Sequence, residues 1–161
     1  MADLDLDFVR SNMRYESTKG VLYWRVPGKG RQANKPLGTQ IAKGYRVIRV
    51  DGAYYCIHRI IFALHHGFYP EVVDHINGNP KDNRVENLRA ATPQQNRHNS
   101  KRPANNTSGF KWVQRTVDGF KYVVVVDGKR YCKEGYSSAE AAHSAAVRVS
   151  AALTKEFHRA K

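Results

Sequence analysis

The sequence predicts an α+β protein built from two small domains. Three observations carry this reading: short strand-like runs separated by Gly-containing turn dipeptides, two helix-start signatures, and a polar stretch at residues 100–106 that reads as a linker. At 161 residues and 41% hydrophobic composition, the chain can bury one ordinary core or two small ones. The boundaries that follow are 1–104 for a strand-rich N-terminal region with a central αβ segment, and 105–161 for a small C-terminal domain.

The elements follow in order. Leu6, Val9 and Met13 line up as one helical face behind an acidic start. Residues 20–25, bounded by Gly20, read as a strand containing the core aromatics Tyr23 and Trp24, and a Gly/Lys/Pro-rich loop follows. Residues 45–50 and 53–58 pair across Asp51-Gly52, a dipeptide that tolerates the positive φ angles of a tight hairpin. Helical periodicity then runs through Ile60, Ile61, Leu64 and His65, and Gly67 stops it. Val72-Val73 is a short strand leading into Asp74-His75. After a loop rich in Asn, Gly and Pro, residues 85–90 read as extended. Thr92-Pro93-Gln94-Gln95 offers an N-cap, a proline at the first helical position and a capping-box partner, so a helix begins at Thr92.

Beyond the linker, Asp118-Gly119 and Asp127-Gly128 separate residues 110–115, 120–126 and 129–133 into a three-stranded meander. Ser137 with Glu140 forms a second capping box. Behind it Ala142, Ala145, Val149 and Leu153 share one face, small enough for the helix to sit close against the sheet. Strand alternation assigns Tyr122, Val124 and Val126 to the helix side and Lys121, Val123 and Val125 to the open side.

Charge narrows the partners. Twenty-seven Lys and Arg against 14 Asp and Glu give a net charge of +13, which points to a polyanion. Residues 97–121 alone hold six Lys or Arg against one Asp, a phosphate-contacting surface. No apolar run approaches the length of a membrane span, and the acidic N-terminus is unlike a secretory signal, so a cytoplasmic protein with no membrane partner is expected. Cys56 and Cys132 have no CxxC spacing, so neither a disulfide framework nor structural zinc is expected.

The chemistry lies between residues 71 and 100. Val73-Asp74-His75-Ile76-Asn77-Gly78-Asn79, then Asp82-Asn83-Arg84-Val85-Glu86-Asn87-Leu88-Arg89, then Gln95-Asn96-Arg97-His98-Asn99 resemble the HNH endonucleases, in particular the homing type found in phages and group I introns. The resemblance implies a ββα-metal (His-Me finger) fold with its site between strands and helix. It implies that His75 is the general base, that Asn87 holds the loop and orients that base, and that Asp74 and Asn96 bind one divalent ion. The residue types suit phosphodiester hydrolysis: an imidazole titrates near neutrality, and a carboxylate beside it is a hard ligand. Asp74 and His75, as neighbours on a strand, point to opposite faces, so the loop has to rotate one of them for the two to converge. His98 is the alternative second ligand, but two positions along a helix amount to about 200°, so Asn96 and His98 face apart. Asn99 or Ser100 shares the Asn96 face. An Asp/Asn oxygen pair favours Mg²⁺ or Mn²⁺ over zinc. Read singly, each Asn is loop punctuation; the pattern as a whole carries the assignment. His58 and Arg59, upstream, read as structural or phosphate-contacting, and His65 and His66 as ordinary helix-end residues.

The C-terminal segment carries Ser108-Gly109-Phe110-Lys111-Trp112-Val113, Phe120-Lys121-Tyr122-Val123-Val124-Val125, Gly128-Lys129-Arg130 and Ser138-Ala139-Glu140-Ala141-Ala142, and resembles the AP2 domain. That resemblance implies a sheet laid in the DNA major groove. Lys111, Gln114, Arg115, Lys121 and Arg130 are the candidate contacts there, with Arg97, Lys101 and Arg102 ahead of them. Exposed valines at Val123 and Val125 depart from the family pattern, because they can touch thymine methyls but make no bidentate hydrogen bonds. Lys133-Glu134-Gly135-Tyr136 also departs from it, near the end of the third strand.

The expected function is thus a metal-dependent DNA endonuclease acting on double-stranded DNA, as a monomer that nicks one strand or as a dimer. Two alternatives stand beside it: an AP2-type DNA-binding regulator on an inactive HNH scaffold, and a structure-selective phage nuclease.

Overall fold

The structure is a computed structural model that describes residues 3–100 and 105–154, the side chain of His98 excepted. The chain forms two compact units, Met1–Ala91 and Thr92–Lys161. The expected boundary at 104/105 adjoins residues 101–104, which lie outside the described residues, as do Lys101 and Arg102. Among the described residues no helix is long and apolar enough to cross a membrane.

In the first unit, α1 (Leu6–Asn12) leads into the hairpin β1 (Met13–Glu16) and β2 (Val21–Trp24). Then come β3 (Thr39–Gln40), β4 (Arg46–Val50), β5 (Ala53–Cys56), α2 (Ile57–His66), and the hairpin β6 (Val72–His75) and β7 (Leu88–Ala91). Asp5 caps α1 by accepting from the Phe8 amide at 2.7 Å. The helix is shorter than its sequence face implied: Met13 opens β1 and is buried there, while Leu6 is only half-buried. Asp51 (φ 47°) and Gly52 (φ 83°) make the predicted tight turn between β4 and β5. The second strand of that hairpin is shorter than expected, because Ile57 and His58 begin α2 instead of ending the strand. Ile57 is β-branched and suits either state; its burial with Ile60 and Ile61 at 2% exposure or less settles the matter in favour of the helix. Gly67 ends α2 in the left-handed region.

One core, built from Val9, Met13, Leu22, Trp24, Ile48, Ile57, Ile60, Ile61, Val73 and Leu88 among others, fills this unit. It ties the N-terminal hairpin to the β6–β7 hairpin, which pairs antiparallel with Asp74 opposite Arg89 and His75 opposite Leu88. Residues 76–87 form the loop between those strands and close with a 3₁₀ turn at Val85–Asn87.

The second unit holds α3 (Pro93–Asn99), the meander β8 (Val113–Thr116), β9 (Gly119–Val126) and β10 (Lys129–Tyr136), and α4 (Ala139–Thr154). Thr92 and Gln95 form the expected capping box at 3.2 and 2.8 Å. Ser100 leaves the helix as its C-cap, so it does not share a helical face with Asn96. In the meander, Asp127 (φ 50°) and Gly128 (φ 73°) form the predicted turn. The other loop is shifted by one residue, since Gly119 pairs with Thr116 and leaves Val117-Asp118 at the tip. β10 continues to Tyr136 past a pairing irregularity between Lys133 and Tyr136, and Gly135 takes a φ of 85°.

Tyr122, Val124 and Val126 face α4 and are buried against Ala145 and Ala146, as the alternation required. At the start of α4 it is Ser138, not Ser137, whose hydroxyl accepts from the Ala141 amide, at 3.1 Å. The apolar face runs through Ala139, Ala142, Ala145, Ala146 and Val149, and Leu153 falls outside it at 38% exposure.

Candidate active site

His75 ends β6 and is buried, as is Asp74 before it, each at 4% exposure. Pairing with β7 stays regular through His75, so the rotation expected at the strand's end does not occur. The two residues are nevertheless coupled through charge. Burial pushes the His75 imidazole below its usual pKa, against the opposing pull of its hydrogen bond to Asn83 and of the Asp74 and Asp82 carboxylates. A buried carboxylate needs a counter-charge. Arg89, opposite in register, provides one: its Nε donates to Asp74 Oδ2 at 2.9 Å, and its terminal nitrogen lies 2.9 Å from the same oxygen.

The loop after β6 is held from inside. Asn87 Oδ1 accepts from the Asn77 amide at 3.0 Å, while Asn87 Nδ2 donates to the Asp82 carbonyl at 2.8 Å and to Asn77 Oδ1 at 3.1 Å. Asn77 Nδ2 donates in turn to Asp82 Oδ2 at 2.9 Å, and Asn77 Oδ1 accepts from the Asn79 amide at 2.8 Å. Asp82 receives two further bonds from the Arg84 guanidinium, at 2.8 Å each, which hold its carboxyl down at about 2. The printed hydrogen bonds of Asn87 are thus all to the loop. The side chain that meets the imidazole is Asn83, whose Oδ1 lies 3.0 Å from His75 Nε2. Sequence reasoning quoted Asn83 within the motif but gave it no role. Its burial, at 3% exposure, depends on contacts from the N-terminal hairpin that no local pattern announces. The Tyr15 hydroxyl donates to the Asn83 carbonyl at 3.3 Å and accepts from the Val85 amide at 3.0 Å.

A second residue also joins the site. His58, in the first turn of α2, is buried with its ring centre 5.0 Å from that of His75, and Tyr45 borders both rings at 5.3 and 5.9 Å. Burial, reinforced by His75 and Arg59, lowers the His58 pKa to about 3, so this ring is neutral at physiological pH. Arg59 turns the other way, to Asp3 and the Glu71 carbonyl. His65 and His66 lie exposed at the end of α2.

Asp74 offers the kind of hard oxygen that a divalent cation takes, and in this structure one of its carboxylate oxygens is engaged by Arg89. Among the described residues no three His, Cys, Asp or Glu side chains group as a metal cage. Asn96 is half-buried in α3, Asn99 is buried and Arg97 is exposed.

In the second unit the candidate DNA contacts do not share a surface. Gln114 pairs with Lys121, and Val125 pairs with Arg130, on the side of the sheet away from α4. Lys121 also bonds Glu134 at 2.9 Å. Arg115 pairs with Phe120 on the opposite side, its guanidinium 5.0 Å from the centre of that ring. Lys111 is a correction: it is buried at 5% exposure with its ammonium 4.4 Å over the Trp112 ring, so it is not presented to a phosphate backbone.

Residues 55–98 match the family model described as HNH endonuclease. Protein 3.8 of Escherichia phage T7 is 37% identical over 67 residues, which is 40% of this chain and 53% of that protein; the chain thus spans about half the length of the curated relative it matches. Among solved structures, one titled as DNA binding and cleavage by the HNH homing endonuclease I-HmuI is 26% identical. It covers 62% of this chain and 57% of its own, with a TM-score of 0.43.

Proposed function

We propose that this protein is a metal-dependent DNA endonuclease in which His75 takes the proton from the attacking water. The observation that carries the reading is a buried imidazole, kept neutral by burial and hydrogen-bonded to Asn83, directly after a buried carboxylate within the segment that matches the HNH model. A neutral imidazole at physiological pH can accept a proton, which is the first requirement of a general base.

The roles of the other residues follow. The Asn87 network keeps residues 76–82 in one conformation, so His75 meets substrate without a prior ordering step. Asp74 would hold a Mg²⁺ or Mn²⁺ ion, with Asn96 as the second oxygen donor on its place in the sequence, one turn into the helix that follows β7. When bound, such an ion neutralises charge on the phosphate and on the leaving oxygen. Tyr45 and His58 wall the inner side of the imidazole and exclude water from it.

The partner in this reading is double-stranded DNA, in keeping with a net charge of +13. Gln114, Lys121 and Arg130 on the open face of the second unit, with Arg97 and the linker residues Lys101 and Arg102, are its proposed contacts. An AP2-like role for that unit rests on its three-stranded sheet and packed helix. A single site per chain implies nicking by a monomer.

The test is conversion of supercoiled plasmid to open circle, the plasmid carrying DNA from the gene's own neighbourhood, with Mg²⁺, Mn²⁺ or EDTA. Metal-dependent nicking that disappears in His75→Ala supports the reading. Tight, salt-sensitive binding without nicking in any metal would favour a DNA-binding regulator instead.

A further inference from the structure

Where β2 meets the β3–β4–β5 sheet, the first unit opens a cleft of about 430 Å³ that the nuclease reading leaves unused. Part of its lining is apolar: Trp24, Leu37, Val47 and Ile48 border it and are each between 6 and 8% exposed. The rest is cationic and aromatic. Lys35 and Arg49 are exposed along it, Tyr54 is 57% exposed, and no Asp or Glu lines the cleft. Arg49 and Tyr54 are Cα partners across β4 and β5, with the guanidinium 5.8 Å from the centre of the ring. The charge extends beyond the cleft: residues 25–49 hold seven Lys or Arg and no acid, a denser surplus than that of residues 97–121.

We infer that this cleft binds one unpaired nucleotide of a DNA strand, its base against the apolar wall and the Tyr54 ring and its phosphate on Lys35 and Arg49. Each half of the lining excludes a simpler occupant. A phosphate ion alone stays hydrated and gains nothing from buried apolar side chains. A neutral apolar ligand leaves the cations without a counter-charge. A paired duplex keeps its bases stacked inside, out of reach of a concave site. An extruded nucleotide carries a flat ring and an anion together, and an aromatic face with cations beside it is how unpaired bases are held. The cleft also has a fixed relation to the candidate active site. Tyr45, which borders the His75 ring, immediately precedes β4, and Arg49 lies four residues on, roughly 13 Å along an extended strand. The inference rests on the proposed function only in taking DNA as the partner.

The experiment measures binding of the full chain, in EDTA, to a short duplex with one unpaired thymidine and to its fully paired counterpart. The expected result is roughly 10-fold tighter binding of the interrupted duplex, about what one stacked base supplies. Tyr54→Ala removes that difference and Tyr54→Phe keeps it, while Lys35→Ala and Arg49→Gln narrow it. All three side chains are exposed, so these variants should melt with the wild type. With bromodeoxyuridine at the unpaired position, irradiation should join the DNA to a peptide containing Trp24 or Tyr54. Equal affinity for the two duplexes overturns the inference, as does a crosslink confined to the second unit. A preference that survives in Tyr54→Ala overturns it too, since it would trace to the bend of the interrupted duplex. Each of these results leaves the nuclease reading to be decided by nicking in His75→Ala. A chain that binds neither duplex would sink this inference and the DNA reading together.

Discussion

Asp74 and Arg89 face each other across the β6–β7 pair as Cα partners, and two guanidinium nitrogens converge on one carboxylate oxygen, each at 2.9 Å. The carboxylate is 4% exposed and the arginine side chain 17%, so neither is freely hydrated. Removing one partner of a buried pair leaves an uncompensated charge, which costs more than the pair contributes. Arg89→Ala should destabilise the protein by about 3 kcal/mol in urea unfolding at pH 7. Adding Asp74→Asn should recover part of that loss; a double variant as unstable as the sum of the singles would mean that the pair is not coupled.

His58 makes stability depend on acid. Its pKa is about 3 in the folded chain against an ordinary value of 6.5, so between those limits the unfolded state binds a proton that the native state does not. Its contribution is fully present above 6.5 and is lost progressively as pH falls toward 3. His75, also lowered by burial, acts in the same direction. Unfolding free energy measured from pH 7.5 to 4.5 should fall by on the order of a few kcal/mol. A His58→Phe variant should show a visibly flatter profile, and an unchanged slope would remove His58 as the cause.

Two glycines with similar backbone angles should respond very differently to the same methyl group. Gly20 (φ 65°) would collide with the backbone of Asn83 and Arg84, whereas a Cβ at Gly52 (φ 83°) meets nothing within 4 Å. Gly52→Ala should cost about 1 kcal/mol, the ordinary penalty of a left-handed non-glycine residue. Gly20→Ala should cost well over twice that, and thermal melts of the two variants are the comparison. Equal losses would show that the loop moves aside easily.

In the second unit, Ser150 is wholly buried on the inner face of α4, and its hydroxyl has no hydrogen-bond partner among the described residues. A buried donor without an acceptor is a net cost. Ser150→Ala should therefore raise stability by up to about 1 kcal/mol. A loss of stability in that variant would mean that the hydroxyl is satisfied in solution.

How much of this was legible in the sequence depended on range. Thr92 with Gln95, Asp51-Gly52 and Asp127-Gly128 are devices whose physics is complete within four residues, and all three form as read. The alternation in β9 was equally plain, because period-two burial needs only a covered face. What escaped was set by contacts far along the chain. Ile57 reads as part of the hairpin strand 53–58, and the core draws it into α2. Lys111 read as a surface cation until the Trp112 ring covered it. Asn87 and Asn83 are alike as letters; that one braces the loop and the other meets the imidazole follows from Tyr15 and Gly20, which no spacing near residue 83 could reveal.

The grip of Tyr15 and Gly20 on the loop also bears on how this protein can be taken apart. The segment 55–98 has the look of a portable cassette, with His75, Asp74 and Asn87 all included. Yet the hydroxyl that pins residues 83 and 85 belongs to β1, outside that span. Grafted alone into another scaffold, the cassette would bring its chemical groups without the part that holds them in register. Transfer of this loop in its folded form, whether by engineering or by recombination between genes, would have to move the first hairpin along with the motif.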